Sequence, residues 1–244
     1  MDIEKVEGLE GVKLVIATPF YEVKGFSPYI SSLAQTILFL SKHTDVDVDF
    51  WELAGDSYVE RARNSLAKQF LNSDRTHMFF IDSDHSWNIT GFMRVLMSPG
   101  RIVGAGYPCK NTWDFYGCIL NTHEDGRPIV SDAGLLSAHV VPTGFMCIHR
   151  SVFEQLLPFV EHREAFSSEN DPQKEYGFFD RIPPLGEDGS FNMRCEQNEI
   201  PRWVQPDVDL VHYGTQGWPG NYHEWLQRLP GGSQGPALEE NSDG

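Results

Sequence analysis

The sequence lacks a long apolar run, and cysteines and basic residues are scarce in it. No stretch of roughly 18 consecutive apolar residues occurs, so we expect no membrane-spanning helix. The acidic N-terminus, MDIEKVEGLEG, lacks the basic start and apolar stretch of a secretory signal. The four cysteines form no CxxC pair and no zinc-finger spacing with histidine. These absences predict a soluble, cytoplasmic protein with free thiols.

Acidic residues outnumber basic residues in this chain. There are 19 Lys and Arg residues against 35 Asp and Glu residues, which leaves a formal net charge of -16. Such a surface repels a phosphate backbone, so non-specific binding to DNA or RNA is disfavoured. One basic cluster either contacts a nucleic acid locally or is simply solvated; it comprises Arg61, Arg63, Lys68 and Lys110.

The first hundred residues alternate between apolar runs of strand length and helical patterns. Strands are predicted at 12–17, 46–50, 77–81 and 101–105, and helices at 27–42, at 57–71 and from Asn88 or Thr90 onward. Pro19 is expected to stop the first strand and Ser27 to cap the first helix. This alternation indicates an α/β fold with a mostly parallel central sheet flanked by helices.

The second half of the chain has a different pattern. Residues 110–140 lack helical periodicity and are expected to form antiparallel strands and loops. Ser151 is expected to cap a helix over 151–159, with Glu154 completing a capping box. Residues 161–184 are predicted to be a mobile loop, and the tail at 230–244 is predicted to be disordered.

Two carboxylates, Asp82 and Asp84, directly follow the apolar strand at 77–81. Open α/β sheets bind ligands at the carboxyl ends of their strands. An oxygen pair there suits Mg²⁺ or Mn²⁺, whose coordination substrate phosphates often complete. The spacing alone is not diagnostic, because the same pattern recurs at 45–47, 47–49 and 207–209. Position at the end of a buried strand favours a metal site over a solvated turn.

The chain resembles the GT-A glycosyltransferases of the family-2 type, nucleotide-sugar enzymes whose Rossmann-like half ends in a metal-binding Asp-x-Asp. The resemblance spans roughly residues 12 to 226 and rests on four elements in the family's order: Arg61-Ala62-Arg63-Asn64, Asp82-Ser83-Asp84, Gly186-Glu187-Asp188 and His212. It implies one domain at 1–229, with a nucleotide-binding half at 12–109 and an acceptor half at 110–229 that includes a smaller antiparallel subregion.

The resemblance also implies a metal site and a catalytic carboxylate. Mn²⁺ or Mg²⁺ would be held by Asp82, Asp84 and His212, although His212 could instead be a hydrogen-bonded histidine near the core. His77, His85 and His223 have weaker claims. Asp188, beside Glu187, would be the general base that deprotonates an acceptor hydroxyl, which implies inversion of configuration. Retaining enzymes of this fold also place a carboxylate nearby, and residues 186–189 could be an acidic turn.

Several residues are expected to contact the donor, and each has a simpler alternative. The set is Thr18, Pro19, Tyr21, Asp56, Arg63, Asn64, Asp82, Ser83, Lys110 and Gly144. Tyr21 would stack on the nucleobase or be a surface aromatic, and Asp56 would bind the ribose or base or interact with a helix dipole. Arg61 and Arg63 do not share a helix face, so only one of them is expected to reach the donor. Arg63, beside Asn64, is preferred, and the alternative is a pair of solvated helix charges. Lys110 would neutralise phosphate or be solvated. Gly144 would admit the ligand closely or mark a β-bulge.

The expected reaction moves a hexose from a nucleotide sugar, most simply a UDP-sugar such as UDP-glucose, to a hydroxyl acceptor. A surface glycan and a hydroxymethylated DNA base are both possible acceptors, and Trp218 and Trp225 would line the acceptor site or pack internally. A nucleotidyltransferase is the alternative enzyme, although residues 18–21 lack its glycine-rich phosphate loop. A non-catalytic sugar-nucleotide or glycan-binding module with a structural cation is the third hypothesis.

Overall fold

The computed structural model describes residues 5–21, 24–110, 116–160, 162–164 and 174–228. Its strands are β1 (Lys13–Phe20), β2 (Asp47–Ala54), β3 (His77–Ile81), β4 (His85–Trp87), β5 (Ile102–Gly104), β6 (Ile119–Leu120), β7 (Leu136–Val140), β8 (Phe145–His149), β9 (His162–Glu164), β10 (Lys174–Tyr176), β11 (Trp203–Val204), β12 (Asp209–Tyr213) and β13 (Gly217–Asn221). The helices are α1 (Ser27–His43), α2 (Val59–Leu71), α3 (Ile89–Met97), α4 (Arg150–Leu156), α5 (Glu187–Gln197) and α6 (Tyr222–Arg228), and Leu157–Phe159 forms a 3₁₀ turn.

Eight strands form the central sheet, in the order β2-β1-β3-β8-β5-β11-β7-β6. Within it, β1 is parallel to β2 and β3, and β5 is parallel to β11. Only β8 and β7 run against the common direction of this sheet. A smaller antiparallel sheet has the order β13-β12-β4, and β9 pairs with β10. The predicted α/β architecture, mostly parallel with a smaller antiparallel region, is confirmed.

Helices cover both faces of the central sheet, and β3 lies between two buried clusters. Met78 and Phe80 of β3 belong to the cluster that includes α2, α4 and α5. Phe79 and Ile81 belong to the cluster that includes α1 and α3. Alternate side chains of a strand point to opposite faces, so a strand covered on both faces reads as a continuous apolar run. Burial on both sides fixes where β3 ends, and therefore where residues 82–84 lie.

The first strand is longer than predicted and contains Pro19. The ladder between β1 and β3 ends at Ala17, whereas the ladder between β1 and β2 continues to Phe20. Past Ala17 the strand is paired on one side only, and proline is tolerated where one edge carries no ladder hydrogen bond. The expectation that Thr18 and Pro19 stop the strand was therefore wrong.

Two predicted helix caps are also wrong. Phe26 is the N-cap of α1, so Ser27 is already helical. At α4 the cap is His149, whose Nδ1 accepts a hydrogen bond from the backbone N–H of Ser151 at 3.2 Å. An imidazole nitrogen satisfies a helix N–H as a hydroxyl oxygen would. Glu154, expected in a capping box, instead pairs with the first residue of the helix.

The described parts of the second half confirm antiparallel pairing but contradict a mobile loop at 174–184. The β6 and β7 strands are antiparallel, as expected for 110–140. Phe178 and Phe179 are fully buried, and their rings pack against Phe153 and Phe191. Two buried aromatic side chains anchor this segment to the core. Residues 165–173 and the tail at 230–244 lie outside the described residues. No described helix is long and apolar enough to cross a bilayer.

Candidate active site

Backbone hydrogen bonds fix the segment that follows β3. The N–H of Asp82 donates to the carbonyl of Gly144 at 3.0 Å, and the Asp82 carbonyl accepts from the N–H of His85 at 3.1 Å. The Asp84 carbonyl accepts from the N–H of Tyr213 at 2.7 Å. The two carboxylates are thus held between the start of β8 and the end of β12.

Asp82 forms an ion pair with a buried arginine. Nη2 of Arg63 donates to Oδ1 of Asp82 at 2.8 Å, and only 1% of Arg63 is exposed. Its guanidinium carbon lies 5.3 Å from the centre of the Phe80 ring. Burial lowers the pKa of Arg63, but the carboxylates of Asp82 and Asp188 raise it above its usual value. Arg63 fixes the orientation of Asp82, and Asp82 lies between Arg63 and the cleft. A direct contact of Arg63 with a donor therefore stays a prediction.

Asp84 lies among three nitrogen-bearing side chains. Nζ of Lys110 is 2.5 Å from Oδ2, while Nδ1 of His85 is 3.1 Å and Nε2 of His212 is 3.7 Å from Oδ1. Burial raises the pKa of the Asp84 carboxyl, but His85 and Lys110 outweigh it and hold that pKa well below its usual range. Asp84 is therefore an anion at neutral pH.

His212 presents a lone pair to Asp84. Its Nδ1 lies 2.9 Å from the carbonyl of Pro108. A carbonyl only accepts, so Nδ1 carries the proton and Nε2 is left as an acceptor. Burial, with the neighbouring His85, lowers the pKa of His212 to about 4, so the ring is neutral at pH 7. A histidine whose second nitrogen donates to a carbonyl is typical of metal ligands.

The residues present fit a divalent cation. Ligand atoms of Asp84, His85 and His212 all lie within 4.8 Å of one another. Oδ1 of Asp84 and Nδ1 of His85 are buried and have no hydrogen-bond partner. Unsatisfied buried polar atoms cost free energy, and a cation between them would remove that cost. Asp82, predicted to be a ligand, is not a member of this group.

A cleft of about 240 Å³ opens beside these carboxylates. It is lined by Pro19, Phe20, Tyr21, Asp56, Ser57, Val59, Ala62, Asp82, Ser83, Asp84 and Arg181. Pro19, Tyr21, Asp56 and Ser83 were predicted to contact a donor, and the structure brings them together with both aspartates. Tyr21 is 72% exposed and free to stack on a planar ring. Arg181, at the rim, was not anticipated from the sequence.

Two other predicted donor residues have side chains engaged elsewhere. Thr18 is fully buried, and its hydroxyl lies 2.5 Å from the Tyr29 hydroxyl. Asn64 donates to Asp180 Oδ1 at 2.9 Å and accepts from the N–H of Phe179 at 2.8 Å. The structure therefore uses Thr18 for core packing and Asn64 to attach the segment before α5.

Asp188 lies in the first turn of α5, so residues 187–189 are helical rather than a simple acidic turn. Its Oδ1 accepts a hydrogen bond from the Thr143 hydroxyl. Burial raises the pKa of Asp188 to about 6; Arg63 and Thr143 oppose the rise, and the charges of Glu187 and Asp82 add to it. A carboxylate with a pKa close to neutral is suited to general base catalysis.

Gly144 lies where Asp82 and Tyr107 meet. Its N–H donates to the Tyr107 hydroxyl at 3.1 Å. A Cβ at this position would collide with the same hydroxyl and would lie 2.9 Å from Asp82 Oδ2. Close packing of Tyr107 and Asp82 therefore requires glycine at this position, and close approach of a ligand to Gly144 stays a prediction.

The two candidate acceptor tryptophans lie in different surroundings. Trp225 packs with Tyr222 and Tyr116, with ring centres 5.5 Å and 5.0 Å away, which is the internal packing considered as its alternative. Trp218 lies opposite His212 in the register of β12 and β13. Contact of either side chain with an acceptor stays a prediction.

No family model matches this sequence, and no curated protein matches it. The crystal structure of A197 from STIV is similar, with a TM-score of 0.53 and 15% identity over 83% of this chain and 86% of that chain. A glycosyltransferase involved in the glycosylation of the major capsid of PBCV-1 gives a TM-score of 0.32 at 9% identity, over 58% and 62% of the two chains. Residues 1–349 of S. aureus TarS give 0.41 at 11% identity, over 88% and 64%.

These last two TM-scores are too low to support an argument about function. The likeness to A197, at low identity, shows a shared fold. The chain and A197 therefore have the same α/β fold, which in this chain has a mostly parallel central sheet flanked by helices.

Proposed function

We propose that the protein is a metal-dependent glycosyltransferase that moves a hexose from a nucleotide sugar, most simply a UDP-sugar, to a hydroxyl acceptor. The proposal depends above all on one observation. Asp84 Oδ1 and His212 Nε2 converge beside a cleft that also contains Asp82 and Ser83. In an open α/β sheet this edge is where nucleotides bind.

Asp84 and His212 would hold Mn²⁺ or Mg²⁺ at the edge of the cleft. The cation, when bound, would stabilise the negative charge of a departing nucleoside diphosphate. Lys110 is already within 2.5 Å of Asp84 and supplies a second positive charge for the phosphates. Arg63 keeps Asp82 in one orientation, so that Asp82 and Ser83 can position the donor by hydrogen bonds.

Donor recognition is assigned to the outer part of the cleft. The exposed Tyr21 ring stacks on the nucleobase. Asp56 accepts hydrogen bonds from the base or ribose; its Oδ1 already accepts from the Tyr58 N–H at 3.0 Å, and its Oδ2 pairs with Arg61 at 3.2 Å. These contacts orient the carboxylate without using all of its lone pairs.

Asp188 acts as the general base. With a pKa of about 6 it is ionised at pH 7 to 8 and accepts the proton of the acceptor hydroxyl as the oxygen attacks the anomeric carbon. Attack opposite the leaving diphosphate inverts the configuration. Glu187 contributes by raising the Asp188 pKa, which makes Asp188 a stronger base.

The acceptor is assigned by charge. A net charge of -16 repels nucleic acid, so a glycan hydroxyl fits this surface better than a hydroxymethylated DNA base. Transfer assays that offer both acceptor classes at two salt concentrations distinguish them, because binding to DNA weakens steeply as salt rises.

Hydrolysis of nucleotide sugars tests the donor assignment. UDP- and GDP-hexoses are incubated with the protein and Mn²⁺, and release of free sugar is followed. We expect one donor to be cleaved slowly, and Asp84→Asn to lower the rate by about 100-fold or more. Asp47→Asn, an exposed aspartate of a similar Asp-x-Asp pair on β2, is the control and should be unaffected. Metal-dependent binding without any turnover would contradict an enzyme and favour a binding module.

A further inference from the structure

His85 is a buried histidine whose two ring nitrogens lack an aligned hydrogen bond. It is fully buried, and neither Nδ1 nor Nε2 has a hydrogen bond within the described part of the chain. Its ring packs between the His212 ring, 4.4 Å away and nearly parallel, and the Tyr107 ring, 4.3 Å away. A histidine that only filled space here would lose the hydration of both nitrogens without return.

Nδ1 of His85 faces the same point as the Asp84 and His212 ligand atoms. It lies 3.1 Å from Asp84 Oδ1 but is not aligned for a hydrogen bond. The two oxygens of Asp84 are divided between different partners, since Oδ2 pairs with Lys110 while Oδ1 faces the two imidazoles. One carboxylate oxygen and two ring nitrogens are therefore collected at one place.

The backbone brings the two histidines together. His85 opens β4, and β4 pairs with β12 so that His85 lies directly opposite His212. Directly opposed residues of an antiparallel pair project their side chains from the same face. A pairing of two strands, rather than the conformation of a loop, positions both rings.

We propose that His85 is a direct ligand of the cation, together with Asp84 and His212. Two imidazoles and one carboxylate favour first-row transition cations, of which Mn²⁺ is bound least tightly, over Mg²⁺, which prefers a shell of oxygen atoms. Asp82, whose Oδ1 is held by Arg63, is not a ligand in this arrangement. This inference deepens the proposed function at the metal site, but binding of the cation alone does not require a donor.

The test measures metal binding to the full chain after EDTA treatment and desalting, without nucleotide. Mn²⁺ is titrated and its free fraction followed by EPR, Mg²⁺ is added as competitor, and pulsed EPR counts the nitrogens coordinated to bound Mn²⁺. For the wild type we expect one Mn²⁺ with two coordinated nitrogens and Mg²⁺ binding weaker by about tenfold or more. His85→Phe, which retains an aromatic ring, should weaken Mn²⁺ binding by about tenfold or more and leave one coordinated nitrogen. His123→Asn, at an exposed turn, is the matched control and should bind as the wild type does.

Several results would overturn the proposal: one coordinated nitrogen in the wild type, unchanged Mn²⁺ affinity in His85→Phe, or no Mn²⁺ binding at millimolar concentration. If circular dichroism shows that His85→Phe does not fold, the nitrogen count of the wild type decides alone. A wild-type protein that binds Mn²⁺ through two nitrogens but neither binds nor cleaves a nucleotide sugar would establish His85 as a ligand and refute the proposed transfer reaction.

Discussion

Replacing Arg63 by methionine tests how the site is held together. The substitution removes a buried ion pair with Asp82 at 2.8 Å and a contact with the Phe80 ring. Loss of one partner of a buried pair costs about 3–5 kcal/mol, and because Asp82 is 28% exposed we expect about 3 kcal/mol. For a chain of this length that free energy lowers the Tm by about 6–12 °C. Arg61→Met, on the same helix but 65% exposed, should cost less than about 1 kcal/mol.

The same substitution should change the pH dependence of sugar transfer. Arg63 lowers the pKa of Asp188, whose value of about 6 is set by burial against this positive charge. Without the guanidinium, the Asp188 pKa rises further. The group is then ionised only at higher pH, so the acid limb of kcat/KM moves to higher pH. Measurement of kcat/KM between pH 5 and pH 9 on wild type and variant reports this shift.

The combination of results decides whether Arg63 positions the site. A lower Tm together with an unmoved acid limb would mean that Arg63 serves stability alone and that Asp188 is not the group that titrates. An unchanged Tm would refute the assignment of a buried ion pair to Asp82. The exposed Arg61 serves as the internal reference for both measurements.

Three further predictions concern neighbouring residues. Gly144→Ala should displace the Tyr107 hydroxyl and lower activity by about tenfold or more, because its Cβ has no space; unchanged kcat would contradict the packing. Burial lowers the pKa of His77 to about 4, so on acidification the unfolded chain binds a proton at this histidine before the folded chain does, and stability should fall as the pH drops from 6.5 to 4. His77→Asn should therefore lose less Tm over this pH range than the wild type. An equal loss of Tm would contradict the buried, neutral His77. Asp84→Asn should abolish Mn²⁺ binding and Asp82→Asn should retain it, as titration with each variant will show.

Sequence patterns predicted those secondary-structure elements whose formation depends on residues close together in the sequence. The strand at 77–81 was predicted to the residue, because burial on both faces requires an uninterrupted apolar run and the polar Asp82 ends it. Pro19 and Tyr21 were predicted at the cleft because the resembled fold places the nucleobase after its first strand, and Asp56 because it precedes the second helix. The β4 strand was missed, because its three residues read as a polar turn and only pairing with β12 makes them a strand.

Residues whose environment depends on distant segments could not be assigned from the sequence. His85 has no local pattern that marks it as buried, and its partner His212 lies far along the chain. Arg63 and Asn64 were expected to contact the donor because residues 61–64 resemble a donor-binding motif of the GT-A enzymes. Asn64 instead binds the segment before α5, and Arg63 lies under Asp82. The motif that contains both residues therefore connects Asp82, at the cleft, to the segment that precedes α5 and Asp188.

The two aspartates of the Asp-x-Asp motif have different surroundings in this structure. Asp82 accepts the hydrogen bond of a buried arginine, which fixes its orientation and balances its charge within the protein. Asp84 pairs with an exposed lysine through one oxygen, while its other oxygen is buried beside two imidazoles without an aligned hydrogen bond. A carboxylate oxygen that already accepts a hydrogen bond gains little from a cation, whereas a buried oxygen without an aligned hydrogen bond gains more. Under the proposed function, these surroundings assign the cation to Asp84 and the positioning of the donor to Asp82, a distinction that their spacing in the sequence does not contain.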